Sequence, residues 1–228
     1  MILKFGMIVT DGRNKLGGHV LSKNRGGNYA RTKVTPVNPR SVAQSNVRAI
    51  FTSLSQAWRG LLQTDRDAWN AAVINFQKTN IFGDLKSPSG FNLYQRLNNV
   101  LAQTGSGSID IPPLPSSIGV FHITSVTATV ASPSLSVILN SALDNDTVLM
   151  VFATPPLSPG KTFVKNQFRL ISVIQPEGTT PFNALASYVA KYGGVGVIGQ
   201  KIFIQTVPCN SNTGQQGTPS EASVITVA

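Results

Sequence analysis

The sequence predicts an α+β chain: a basic, glycine-rich β-hairpin arm, then a short three-helix segment, then a carboxy-terminal β-sandwich. Three observations point there. The hydrophobic period changes along the chain, from short strand-like runs to helical stripes and back to strands separated by turn residues. Charge is partitioned: residues 1–100 hold 14 Lys and Arg against 4 Asp and Glu, whereas residues 101–228 hold 5 of each. Between the helical and β regions lies Gly105-Ser106-Gly107-Ser108, followed by Pro112, Pro113 and Pro115. The expected divisions are therefore an arm over 1–39, a helical segment over 40–104, a linker over 105–119 and a sandwich over 120–228. The Gly/Ser half of the linker is expected to be flexible and the proline half extended. Charge asymmetry of this kind points to two modules with different jobs.

The arm contains six glycines in 39 residues. Residues 19–23 and 29–34 are short β-compatible runs, joined by Asn24-Arg25-Gly26-Gly27-Asn28, where glycine supplies the positive φ of a hairpin turn. Val34-Thr35-Pro36-Val37-Asn38-Pro39 then places two prolines in four residues, which enforces extended backbone and forbids helix. A segment so rich in glycine and positive charge is expected to be held in order by something it binds.

From residue 40 the period becomes helical. Ser41 with Gln44 fits a capping box, and Ala43, Val47, Ile50, Phe51, Leu54, Trp58 and Leu61 form one stripe. Thr64 with Asp67 marks a second helix start, continued by Trp69, Ala72, Val73 and Phe76. Residues 80–88 read as a loop, and Ser89 caps a third helix with the stripe Leu93, Tyr94, Leu97, Val100 and Leu101. Trp58 and Trp69 are expected to be core anchors, each buried against the other's helix. Such a segment has little apolar area to bury alone.

Strand candidates follow at 122–130, 135–139, 147–153, 168–174, 201–207 and 222–228, separated by turn signals such as Asp144-Asn145-Asp146 and Pro155-Pro156. Six or seven strands in this span suggest an immunoglobulin-like or fibronectin-like sandwich. Residues 181–192 have helical spacing at Phe182, Leu185 and Val189, ended by Gly193-Gly194. They read as a helix crossing between the two sheets.

Composition removes several function classes. Cys209 is the only cysteine, so neither a disulfide framework nor a cysteine zinc site can form within the chain. His19 and His122 lack acidic neighbours. No signal-peptide pattern or membrane-length apolar run occurs, so the chain is expected to be made in a cytoplasm with no membrane partner. Gly12-Arg13-Asn14-Lys15-Leu16-Gly17-Gly18 lacks the Gly-Lys-Ser/Thr ending of a phosphate loop, and Arg25-Gly26-Gly27 is a lone triplet that reads as a turn. Asp65 and Asp67 are explained by a helix start, and Asp144 and Asp146 by a turn. Trp58, Arg59, Arg66 and Trp69 read as helix anchors with flanking charges rather than cation–π pairs. Ser, His and Asp show no nucleophile-elbow context. No catalytic, metal or cofactor-binding residue is expected, no cofactor is implied, and the chain reads as non-enzymatic.

What remains is the row Lys15, Lys23, Arg25, Arg31, Lys33, Arg40 and Arg48. Several of these alternate along the expected strands and would share a face, making them candidate partner-anchoring residues. They could neutralise nucleic-acid phosphates, with strong salt dependence, or dock on an acidic protein surface. Tyr29 is the only aromatic in this stretch, which gives little for a single-strand stacking platform, so a protein surface is favoured. Homo-oligomerisation stays open.

The run from Gly17 to Ser41 (GGHVLSKNRGGNYARTKVTPVNPRS), then Gln44, Arg48, Phe51, Leu54, Trp58, Arg59, Leu61 and Arg66-Asp67-Ala68-Trp69-Asn70, resembles an uncharacterised family of tailed-bacteriophage structural proteins. Phe152-Ala153-Thr154-Pro155-Pro156-Leu157-Ser158-Pro159-Gly160 and Gly199-Gln200-Lys201-Ile202-Phe203-Ile204-Gln205 resemble that family's sandwich half. The likeness covers most of the chain. It implies a phage origin and a place in the virion beside other virion proteins, with capsid decoration or a minor capsid role favoured over neck or tail. It assigns no catalytic residue.

Overall fold

The computed structural model describes residues 2–4, 11–175 and 180–228. It is an α+β protein with four α-helices and several antiparallel sheets among those residues. The chain divides into two compact units, residues 1–49 with 77–87, and residues 50–76 with 88–228. This differs from the boundaries expected from sequence. Most of the helical segment joins the β region, while the first unit takes the start of the first helix and a short insert.

The first unit contains β1 (Ile2–Leu3), β2 (Asn14–Leu16), β3 (His19–Asn24) and β4 (Gly27–Thr32). They form one antiparallel sheet in the order β1-β4-β3-β2. The turn between β3 and β4 is only Arg25-Gly26, tighter than the five-residue connection expected. The Gly26 N–H donates to Asn24 Oδ1 at 2.8 Å, and Gly27 takes a φ of +112° that side chains rarely adopt. Helix α1 (Val42–Gly60) begins here, with the Gln44 N–H donating to Ser41 Oγ at 3.4 Å. Residues 78–86, expected largely as loop, carry the small hairpin β5 (Lys78–Thr79) and β6 (Leu85–Lys86). Asn80 Oδ1 closes its turn by accepting the Phe82 and Asp84 N–H groups at 2.8 and 3.0 Å.

In the second unit, α2 (Gln63–Ala72) runs into a 3₁₀ turn, Val73–Phe76, and α3 (Gly90–Thr104) follows. The cap expected from Thr64 and Asp67 does not form. The helix starts two residues earlier, Leu62 at its N-cap offers no polar side chain, and Asp67 instead accepts from Gln63 Nε2 at 2.8 Å. Ser89 does cap α3, accepting the Asn92 N–H at 3.2 Å, and Gly105 ends it at a φ of +76°. Trp69 is fully buried, and its Nε1 donates to the Asp110 carbonyl at 2.6 Å. Trp58 is half-buried. Both indoles pack on Tyr94 of α3, with ring centroids at 5.3 Å for Trp58 and 5.4 Å for Trp69. The expectation that each indole buries against the other's helix is thus replaced by a shared third helix.

The β region comprises β7 (Ile123–Thr129), β8 (Ser134–Leu139), β9 (Thr147–Ala153), β10 (Arg169–Ile174), β11 (Phe182–Asn183), β12 (Lys201–Asn210) and β13 (Ser220–Ile225). One sheet has the order β11-β8-β7 and the other β10-β9-β12-β13. A common core joins them, with Leu135 and Val137 from one and Leu149, Val151, Ile202 and Ile204 from the other. The helix expected over 181–192 is shorter. Phe182 pairs with Val137 as a strand residue, and α4 (Leu185–Tyr192) begins after it. Tyr188 of α4 is buried in the core, its hydroxyl donating to the Thr154 carbonyl at 2.9 Å.

The four-stranded sheet is buried on its second face as well. Met150 alternates with Leu149 and Val151 and so points away from the common core. It meets Val207, Cys209 and Val100 of α3 in a separate apolar cluster. The run Val148-Leu149-Met150-Val151 therefore has no polar break, as expected of a strand covered on both faces. Gly214, after β12, has a φ of +68°, and a Cβ there would lie 2.3 Å from the Leu97 carbonyl oxygen. Only glycine lets that loop close on α3. Residues 105–119 are tied down rather than loose: Asn98 Oδ1 accepts the Ile109 N–H at 2.7 Å. Gln215 donates to the Leu114 carbonyl at 2.8 Å and accepts the Ser116 N–H at 3.0 Å.

Two outcomes follow from this packing. Trp69→Ala should destabilise the second unit by about 3–5 kcal/mol in denaturant unfolding, and Trp58→Ala by clearly less, because only Trp69 is fully enclosed. Burial pushes the Cys209 thiol up to about 11, so iodoacetamide at pH 8 should alkylate the native protein very slowly. Val100→Asp, which places a charge against Met150 and Cys209, should accelerate that alkylation while leaving β1–β4 unchanged.

Candidate docking surface of the amino-terminal unit

The first unit has a sheet but no core among its described residues. None of its described residues is buried. Leu16, Val34, Val37, Val42, Val47, Ile81, Phe82 and Leu85 are all exposed large apolar side chains within it. Its charge is equally unbalanced, with 11 Lys and Arg against 2 Asp, a net +9 of the chain's +10. Both aspartates are already engaged. Asp11 lies 3.6 Å from Arg13, and Asp84 accepts from Lys4 Nζ at 3.1 Å. That lysine and the Asn80 amide hold the Asp84 carboxyl below its ordinary range.

Register sorts the seven candidate cations. Lys15 pairs with Val20, and Val20 with Arg31, so these three side chains stand in one row on one face. Lys33 lies two residues beyond Arg31, on the same side, and its N–H donates to the Gly18 carbonyl at 2.8 Å. Lys15, Val20, Arg31, Thr32, Lys33 and Val34 line one groove. With strands about 4.8 Å apart, Lys15 and Arg31 are separated by roughly 10 Å across Val20. That is near a Debye length at moderate salt, so their mutual repulsion is mild.

The other four do not join them. Lys23 pairs with Asn28 one residue out of phase, on the opposite face. Arg25 sits in the hairpin turn. Arg40 lies in the segment before α1 at a φ of +49°, a left-handed conformation uncommon for a side-chain-bearing residue. Arg48 is on α1 and donates to Asn38 Oδ1 at 3.0 Å. None of the seven forms an ion pair among the described residues. Val20 and Val34 were not singled out from sequence. Their signal was the number of valines in a stretch too short and too polar to enclose them.

Other expected readings have places too. The Asp144 carbonyl accepts the Thr147 N–H at 3.0 Å, as in a turn, and no group of three His, Cys, Asp or Glu residues suited to a metal occurs among the described residues. In the helical region the Arg96 guanidinium lies 5.6 Å from the centroid of the Phe76 ring. No helix among the described residues is long and apolar enough to cross a membrane. No protein-family model matches the chain, and neither does any curated protein or solved structure.

The Lys4–Asp84 pair ties β1 to the turn between β5 and β6. Because the Asp84 carboxyl titrates lower in the folded chain, its contribution is present above the ordinary carboxylate range and is lost as pH falls through the lowered value. The protection of the Phe82 and Asp84 amides, measured as exchange relative to the intrinsic rate at each pH, should therefore fall on acidification, and Asp84→Asn should bring the same loss of protection already at neutral pH.

Proposed function

We propose that this chain is a non-enzymatic structural protein of a tailed-phage particle, anchored by its basic amino-terminal unit, with the carboxy-terminal unit projecting or packing on neighbours. Capsid decoration or a minor capsid role is favoured over neck or tail. The observation that carries this reading is the first unit itself: a net +9 unit with no buried residue among those described, which a partner would complete. The sequence resemblance to tailed-phage structural proteins supports the setting.

The carboxy-terminal β region is read as an immunoglobulin- or fibronectin-like sandwich. Its first, second and fifth strands form one sheet and its third, fourth, sixth and seventh the other. That order supports the assignment, since such sandwiches divide seven strands between two sheets in this interleaved way. Modules of this architecture serve many functions, so the fold supports a display or packing role by analogy alone.

Quantitative mass spectrometry of purified particles tests the proposal. The chain should be present at a fixed copy number, in the hundreds for a shell role or a small multiple of six for neck or tail, and salt should weaken its retention. Its absence from purified particles would overturn the reading. The charge also favours a second reading, a nucleic-acid-binding protein associated with the phage genome. Retention on duplex DNA with a steep salt slope, and no retention on DNA-free particles, would select it.

A further inference from the structure

We infer that the groove lined by Lys15, Val20, Arg31, Lys33 and Val34 is the docking site for a partner protein, and that it takes an acidic surface with an apolar ridge at its centre. This rests on the anchoring role proposed above and names the site and the chemistry of its occupant.

Three observations select that occupant. The cations are arranged around apolar side chains rather than in a continuous stripe: Val20 stands between Lys15 and Arg31, and Val34, 71 % exposed, follows Lys33. An interface with an apolar centre and charged margin is the usual anatomy of protein–protein contacts, whereas nucleic-acid interfaces are more polar and gain most from phosphate neutralisation. The apolar excess continues past the groove through Val37, 86 % exposed, so the surface to be covered extends along the chain. A second copy of this chain is a poor occupant, because it would bring another net +9 unit against the first. Like charges facing one another oppose association, and complementary ones direct it.

The face is testable because the sheet offers a matched control. Leu16 is 70 % exposed, as Val34 is, but is not among the residues that line the groove. The full-length chain would be produced in its native host cell with a photoreactive p-benzoylphenylalanine at position 34 or at position 16, and irradiated. The cross-linked peptides would then be sequenced by mass spectrometry. The position 34 variant should give about tenfold more adduct than the position 16 variant, with a peptide from another protein carrying excess Asp and Glu. Adding Lys15→Ala, Arg31→Ala and Lys33→Ala should cut that adduct about tenfold, since the three form the charged margin. All three are exposed and outside any ion pair among the described residues, so removing them disturbs no buried contact there. Equal adducts from both positions would overturn the inference. So would an adduct insensitive to the triple substitution, one with nucleic acid, or one with a second copy of this chain. Whether the cross-linked partner co-purifies with particles is read separately: an acidic partner found only outside particles would sink the virion role and leave the docking site standing.

Discussion

Helix α3 is the element on which the larger unit depends. One side of it, through Leu93, Tyr94 and Leu97, forms the apolar cluster with Trp69, Phe76 and Leu54. Another, through Val100, seats on the outer face of the four-stranded sheet. A sheet with one wet face and an independent helical bundle would be two marginal domains, each short of apolar area. A single helix shared between them turns two small cores into neighbours that stabilise each other. Gly214 and Gln215 add to this from the sheet side, the first by close approach to the backbone of α3 and the second by fixing the chain that leaves it.

The smaller unit follows the opposite rule. Its strands pair well, and its turns are chemically specified by Asn24, Gly26, Gly27 and Asn80. Hydrogen bonding alone supplies little net stability in water, and none of the unit's described residues is fully buried, so the hydrophobic contribution they add is small. On the proposed reading, the missing layer belongs to the partner. Stability and binding then become the same free energy, so mutations in its apolar side chains would register as lost attachment rather than as lost folding.

Much of the secondary structure was legible because periodicity and turn chemistry are local. Ser89 and Gly105 mark the ends of α3, and Gly193 ends α4, through the capping physics that sequence exposes. Tertiary competition accounts for what was missed. Thr64 looked like a cap, but the chain turned at Leu62 instead. Residues 105–119 look like a spacer by composition, yet Asn98 and Gln215 reach them from 11 and 101 positions away. The unbroken apolar run in β9 was the one visible hint that the sheet had a second cover, and alternation-based reasoning passes over it. The candidate groove was half legible. The cations were countable, but only the register separates Lys23 from Lys15, Arg31 and Lys33.

A surface with eleven cations and two occupied carboxylates is drawn to every polyanion in the cell, and ribosomes and messenger RNA are far more abundant there than any single protein target. Electrostatics alone would leave such a chain sequestered. The valines set among the lysines offer a way out, because burying them is a gain that RNA cannot provide and that salt does not screen. The two components would then divide the work of assembly: charge brings the chain quickly to many acidic surfaces, and apolar fit decides which of those encounters lasts.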